Sequence, residues 1–394
     1  RELILTIWDL LIHGSHKKFG AYRVIKLIHL QGFKSAADVR IEQAIPFSVF
    51  AGSNGAGKSN LVDGLAFFGA VVKRGAVQAI RDFGGYGQIH CFQHKDDKAS
   101  SASLELKIIL KGKPSHYIVH IHDMNTQPVL EEKLWVNDEL ILKREKSGKK
   151  AEFFDQTKNE WQELPDFSDE MSILMLFSSS LLYRFLTNIR VFRFDPLQAK
   201  EPDSSAADNL SLDTYGRNVA TMLSVLEQNT DFREQVLEWM ALLVPSMEKV
   251  STQKQSLDGT TVITFKEEGT ENSFPARLIS DGTIYALCII TAILSRSDSL
   301  GLTLIEEPER GIHPKAIAEL VSLMREYAQV EHPVFITTHS ESVVRSSQAS
   351  ELWLVNKLEG KSILKNAQGA GIDLAGLNLD EAWLMNFFDG GLPW

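Results

Sequence analysis

The sequence predicts an α/β fold, with a mixed β-sheet core and an antiparallel β region, on three observations. An apolar strand, Pro46 to Phe50, runs into a glycine-rich turn and then a helix-like segment, Asn60 to Phe68. Two more apolar strands, Leu302 to Ile305 and Pro333 to Thr338, each end in polar residues able to do chemistry. Between these two ends of the chain, segments from Ser103 to Gln162 alternate apolar and polar residues, the period of strands with one wet face.

The glycine-rich turn reads Gly52-Ser53-Asn54-Gly55-Ala56-Gly57-Lys58-Ser59, a complete P-loop. Its glycines let the backbone fold around a polyphosphate with N–H groups pointing inward, and the following helix adds its positive end. Lys58 is placed to reach the β and γ phosphates of ATP. Ser59 can offer its hydroxyl to Mg²⁺, which takes few protein ligands. Asn54, Gly55, Gly57, Lys58, Ser59 and Asn60 are therefore the expected nucleotide-binding residues of this end. A chance match to a glycine-rich turn is disfavoured by the strand before it and the helix after it.

Composition bounds the classes. With 394 residues, 44% of them hydrophobic and 23% charged, the chain can bury a substantial core, and length alone suggests two or three domains. A net charge of −10 and a pI near 5.6 argue against a surface that is basic throughout. A local basic groove remains compatible with nucleic acid, though nothing supports it. Cys91 and Cys288 are far apart and lack metal-ligand spacing, so a reducing, cytoplasmic setting fits best. No segment reads as transmembrane: the apolar run Ile284 to Leu294 is too short, and Leu3 to Trp8 lacks a basic flank and a cleavage site.

In order, the chain divides into an N-terminal helical extension (1–21), a first lobe with the P-loop and β-subdomain hairpins (22–165), a helical lid (166–260) and a second lobe (261–394). Val24 to Leu30 and Val39 to Ile41 alternate as two antiparallel strands ahead of the P-loop. Hairpins are expected around Asn137-Asp138 and Lys158-Asn159. Residues 166 to about 245 read as mostly helical, and a strand returns at Val262 to Phe265. No internal repeat or long heptad series is present.

The second lobe holds the rest of the chemistry. Leu302 to Ile305 ends in Glu306 and Glu307, carboxylates placed as a P-loop enzyme needs them opposite its phosphates. Glu306 is expected to hold Mg²⁺ through a water, and Glu307 to polarise the water that attacks the γ phosphate. His339, after the next apolar strand, can hydrogen-bond that phosphate or the attacking water. Ser280 and the backbone near Gly282, at the start of the helix through Leu294, form a second anion site. The chain has no second phosphate of its own to fill it, so the economical explanation is closure over the nucleotide of another copy, head to tail. Each feature alone has an ordinary structural explanation; their order along the chain is what raises them.

Together GSNGAGKS, LISDGT, LTLIEEPE and FITTHS resemble the ABC-type ATPase heads of the RecF, SMC and Rad50 class, and among them the compact ATPases of the overcoming-lysogenization-defect (OLD) type in anti-phage defence. There ISDGT stands for the signature, and the acidic pair runs on into Pro308-Glu309 and Gly311-Ile312-His313-Pro314. The resemblance covers residues 23–95 and 275–345. It implies a composite head built from both ends of the chain, with a β subdomain and a helical lid subdomain between them, joined in pairs by ATP and released by hydrolysis. It also implies a Mg²⁺-sensing glutamine, for which Gln88 and Gln93 are both candidates. Arg310 departs from the small polar residue usual at its position. SMC-type arms and a C-terminal nuclease are not expected, so an effector nuclease or toxin would be a separate chain, in some systems linked to a reverse transcriptase. The implied function is a dimeric switch ATPase controlling such an effector; the alternative is a RecF-like repair ATPase acting on DNA.

Other features carry less. His116, His120 and His122 share one strand face, and solvated strand histidines suffice to explain them. The run Lys143-Arg144, Lys146, Lys149-Lys150 reads as a wet hairpin connection with a nucleic-acid contact as the bolder reading. The aromatic end, Trp383 to Phe388 and Leu392 to Trp394, suits either docking or core packing.

Overall fold

The computed structural model describes residues 25–94, 100–146, 150–155, 157–205, 211–370, 376–388 and 392. The helix expected over residues 1–20, Lys149 and the last two residues lie outside these. β1 (Ile25–Phe33) and β2 (Ala36–Ala44) form the expected antiparallel pair. β3 (Phe47–Ala51) then leads through the P-loop into α1 (Lys58–Arg74), which extends past the patterned segment at both ends. Six strands follow: β4 (Ala102–Leu110), β5 (Lys113–His122), β6 (Val129–Val136), β7 (Glu139–Arg144), β8 (Ala151–Asp155) and β9 (Glu160–Leu164). With β1 and β2 they make an antiparallel sheet in the order β2-β1-β4-β5-β6-β7-β8-β9. Asn137 and Asp138 link β6 to β7 with φ of 52° and 65°, a mirror-image turn whose twist matches that of the strands. Along β5 alternate residues Ser115, Tyr117, Val119 and Ile121 are buried, as the period of two demands.

The stretch read as mostly helical holds α2 (Leu181–Thr187), α3 (Val219–Leu226) and α4 (Thr230–Leu243), but also a strand, β10 (Ile189–Phe192). A small sheet of β11 (Met247–Lys254), β12 (Thr261–Glu267) and β13 (Phe274–Pro275) follows. The chain then runs through α5 (Asp281–Leu294), β14 (Leu302–Glu306), α6 (Pro314–Tyr327), β15 (Val334–Thr338), β16 (Leu352–Leu358), β17 (Lys361–Asn366) and α7 (Leu379–Leu384).

The central sheet runs β10-β14-β15-β3-β16-β17. Its first five strands are parallel and β17 is antiparallel. Both faces of β3, β14 and β15 are covered, which is why these three strands are buried almost end to end. Phe50, Leu304, Phe335 and Trp353 enter the core shared with β1, β2 and α1. Val49, Ile305, Ile336 and Leu354 enter the second core, around α5. Every residue of α5 from Thr283 to Leu294 is buried, so its apolar sequence marks a core helix. Trp383 and Phe388 also belong to that core, which assigns this part of the aromatic end to packing.

Candidate nucleotide site

Parallel pairing sets the site. In register, Glu306 of β14 lies beside Thr337 of β15, which lies beside Phe50 of β3. The C-terminal ends of three adjacent strands therefore open along one edge, the usual ligand-binding edge of such sheets. The P-loop leaves β3 there, Glu306 and Glu307 end β14, and His339 follows β15.

Asn54, Gly55, Gly57, Lys58, Ser59 and Asn60 line an open cavity of about 260 Å³ together with Glu307, Thr337 and Lys357. Gly57 sits at φ 101°, and a Cβ there would fall 1.9 Å from the Ser362 hydroxyl. Only glycine fits both demands. Lys58 donates to the carbonyls of Gly52 at 2.7 Å and Ser53 at 2.9 Å. An ammonium has three N–H donors, so one is left to point into the cavity. Burial lowers the Lys58 pKa, against the opposing charges of Glu307, Glu309 and Glu306. Asn60 lines the cavity but gives its amide to the Ser35 hydroxyl at 2.7 Å.

Beside the loop, Ser59 donates to Oε2 of Glu306 at 3.0 Å. Oε1 of Glu306 accepts from Arg193 at 2.7 Å, and the same guanidinium nitrogen reaches Asp63 of α1 at 2.5 Å. Lys34 donates to the other Asp63 oxygen at 2.7 Å. Burial opposes the Arg193 charge, but Glu306 and Asp63 hold its pKa above the ordinary range. Arg193 was not singled out in the sequence; its only signal is its place just past β10, in a stretch patterned as helix. Lys357, also in the cavity wall, gave no sequence signal either.

Glu307 adopts φ 49°, in the left-handed region that side chains rarely occupy. Its backbone is fixed from both sides: its N–H donates to the Thr337 carbonyl at 2.9 Å, and the Tyr285 hydroxyl lies 3.0 Å from its own carbonyl. Such strain, of order 1–3 kcal/mol, persists where surrounding structure over-determines it and clusters at functional sites. The Glu307 carboxylate is thereby turned toward His339, with Nδ1 at 3.2 Å. Glu309, buried beneath them, accepts from the Thr338 hydroxyl at 2.7 Å and from the His339 N–H at 3.3 Å. Burial pushes its carboxyl pKa up.

Ser280 and Gly282 are not among the lining of this cavity. Ser280 caps α5, its hydroxyl accepting from the Thr283 N–H at 3.2 Å, and it is exposed. A Cβ on Gly282 would fall 2.2 Å from the Gly311 carbonyl, so the cap packs tightly on the loop after the acids. Arg310 in that loop is exposed. Neither Gln88 nor Gln93 lines the cavity, and Gln93 lies against Gly360 between β16 and β17.

The weaker sequence features resolve individually. His116 pairs with Glu105 at 2.8 Å and His122 with Glu131 at 3.0 Å. Among the described residues no group of three or more His, Cys, Asp or Glu is placed to hold a metal ion, and no helix is long and apolar enough to cross a membrane. The basic run is not a wet loop at its start. Lys143 and Arg144 belong to β7, and Arg144 is fully buried against Glu132 at 2.9 Å. The same Glu132 accepts from the Tyr117 and Ser172 hydroxyls, both at 2.6 Å. A buried ion pair needs such satisfaction, and Arg144 is therefore structural.

A P-loop on a central parallel strand, with a histidine after the neighbouring strand and an acidic pair at the end of the next one, defines the fold of an ABC-type ATPase head. The chain belongs to the AAA_21 family, described as "AAA domain, putative AbiEii toxin, Type IV TA system", whose profile matches residues 47–345. Its fold is that of an ABC-type P-loop head. An SMC head bound to the C-winged helix domain of ScpA superposes with TM-score 0.57 at 15% identity, covering 91% of this chain and 99% of that one. The Pyrococcus furiosus SMC head with an extended coiled coil, bound to the C-terminal domain of ScpA, gives 0.52 at 14% identity, covering 93% and 98%. At these identities the likeness concerns the fold. No curated protein sequence matches the chain.

Proposed function

We propose that this protein is an ATP-hydrolysing switch whose two copies join head to tail over two nucleotides, and that it controls a nuclease or toxin in anti-phage defence. One observation carries the dimer: the cavity has the P-loop and Glu307 in its walls, while the exposed Ser280 cap lies elsewhere on the surface. An anion-binding helix start outside its own nucleotide cavity is free to meet another copy's γ phosphate. Support for an effector comes from the family description, which names a toxin and a toxin–antitoxin system. The SMC heads of like fold are likewise bound to a second protein, ScpA.

In this reading the free N–H of Lys58 takes a γ-phosphate oxygen. Glu307 accepts a proton from the attacking water, and His339 orients that water or senses the phosphate. The Ser59 hydroxyl and Glu306 carboxylate, 3.0 Å apart, are oxygen donors of the kind Mg²⁺ prefers. When bound, the metal neutralises charge on the β and γ phosphates. Arg193 keeps Glu306 oriented from the opposite oxygen. Light scattering tests the proposal: the mass should double with a non-hydrolysable ATP analogue and Mg²⁺, and not with ADP. A monomer at saturating analogue overturns the dimer. Purification from the native operon should bring down a nuclease or toxin chain; a head that elutes alone under all nucleotide conditions overturns the effector role.

A further inference from the structure

A second cleft, of about 250 Å³, opens between α1 and the edge strand β10. Lys73, Arg74, Arg190 and Arg193 line it, with Asp63 as the one acid among its lining residues. Asp63 is already matched by Lys34 and Arg193, and Arg74 by Asp82 at 2.7 Å. Lys73 and Arg190 have no carboxylate partner among the described residues. The Nε of Arg190 is buried without a hydrogen-bond partner. In a chain of net charge −10, an unbalanced cluster of cations around a cavity calls for a specific cause. Like charges brought together and partly desolvated destabilise the fold unless a counter-charge completes them.

We propose that this cleft is a binding site for a phosphate-class anion, distinct from the P-loop. Four cations and the hydroxyl of Thr214 supply donors of both kinds that phosphate oxygens take, point-charge ammonium and forked guanidinium. The volume suits one or two phosphate groups and falls below the roughly 300–1,000 Å³ of ordinary small-molecule sites. Burial and mutual repulsion agree with a missing anion: Lys73 is lowered by burial and by Arg190 and Arg74, and Arg190 by burial and by Arg74. Arg193 joins the cleft to the nucleotide site, because the same guanidinium holds Glu306. An anion in the cleft therefore competes with Glu306 for Arg193.

The phosphate can come from a free oligophosphate or from a nucleic-acid backbone, and titration calorimetry separates them. The full chain, with its P-loop filled by saturating AMP-PNP and Mg²⁺, is titrated with inorganic pyrophosphate and, separately, with a single-stranded oligodeoxynucleotide. Saturable binding of pyrophosphate is expected, weakened roughly tenfold or more by Arg190→Glu and by Lys73→Glu. Lys73 is exposed, so its variant keeps the test open if Arg190→Glu fails to fold. Oligonucleotide binding that both substitutions weaken assigns the site to a strand backbone instead. Absence of saturable binding by either probe, or equal binding by parent and both variants, overturns the site.

Discussion

Replacing Glu307 by glutamine separates chemistry from architecture. The amide keeps the shape of the side chain and leaves the φ 49° backbone where the Tyr285 hydroxyl and Thr337 carbonyl hold it. Its carboxylate contacts His339 at 3.2 Å, and both side chains are about two-fifths exposed, 39% and 43%. Loss of a pair that exposed changes stability by less than about 1 kcal/mol. Loss of a general base slows the chemical step by roughly 10²–10⁴, about 3–5 kcal/mol of barrier. Single-turnover release of phosphate should therefore collapse while the thermal midpoint stays put, and ATP-bound dimers should accumulate on gel filtration. Turnover at the parental rate refutes the role of Glu307; a large drop in thermal midpoint would make it a structural residue instead.

Three more outcomes follow from the same geometry. Gly57→Ala forces a side chain into φ 101° and against Ser362, so urea denaturation should show a loss of about 1–3 kcal/mol and fluorescent ATP should bind weakly or not at all. Arg144→Met strands Glu132 in the core, at a cost of about 3–5 kcal/mol, while nucleotide affinity stays unchanged; a loss under about 1 kcal/mol contradicts the buried pair. His332 is buried between Thr303 at 2.7 Å and the Ser299 carbonyl at 2.6 Å, and burial with Arg296 alongside pushes its pKa down to about 4. Its folded pKa lies below the unfolded one near 6.5, so its contribution is complete above about pH 6.5 and falls as pH drops toward 4, by about 3 kcal/mol in all. His332→Gln should flatten that slope in urea midpoints measured against pH.

The sequence disclosed what local chemistry requires and concealed what only distant contact supplies. A P-loop needs glycines at fixed offsets, and Asn-Asp needs a tight mirror turn at 137–138, so both were legible without a structure. The order of Glu306, Glu307 and His339 at strand ends was legible for the same reason. β10 was not: four residues, Ile-Arg-Val-Phe, show no period, and their partner β14 lies more than a hundred residues on. Arg193 went unseen with it. Arg144 read as solvated because a basic pair after a strand usually is; its counter-charge, Glu132, sits on the neighbouring strand, in a core that no local pattern reveals. The strain at Glu307 likewise comes from Tyr285 and Thr337, both remote in sequence.

Mixing two crippled copies tests the trans site most directly. Lys58→Ala removes the phosphate lysine, and Ser280→Arg blocks the exposed helix cap; each alone should be inactive. If the cap of one copy completes the P-loop of the other, an equal mixture contains mixed dimers with one intact site, and ATP turnover should return to about a quarter of the parental rate. A mixture as inactive as its two components would contradict the head-to-tail arrangement.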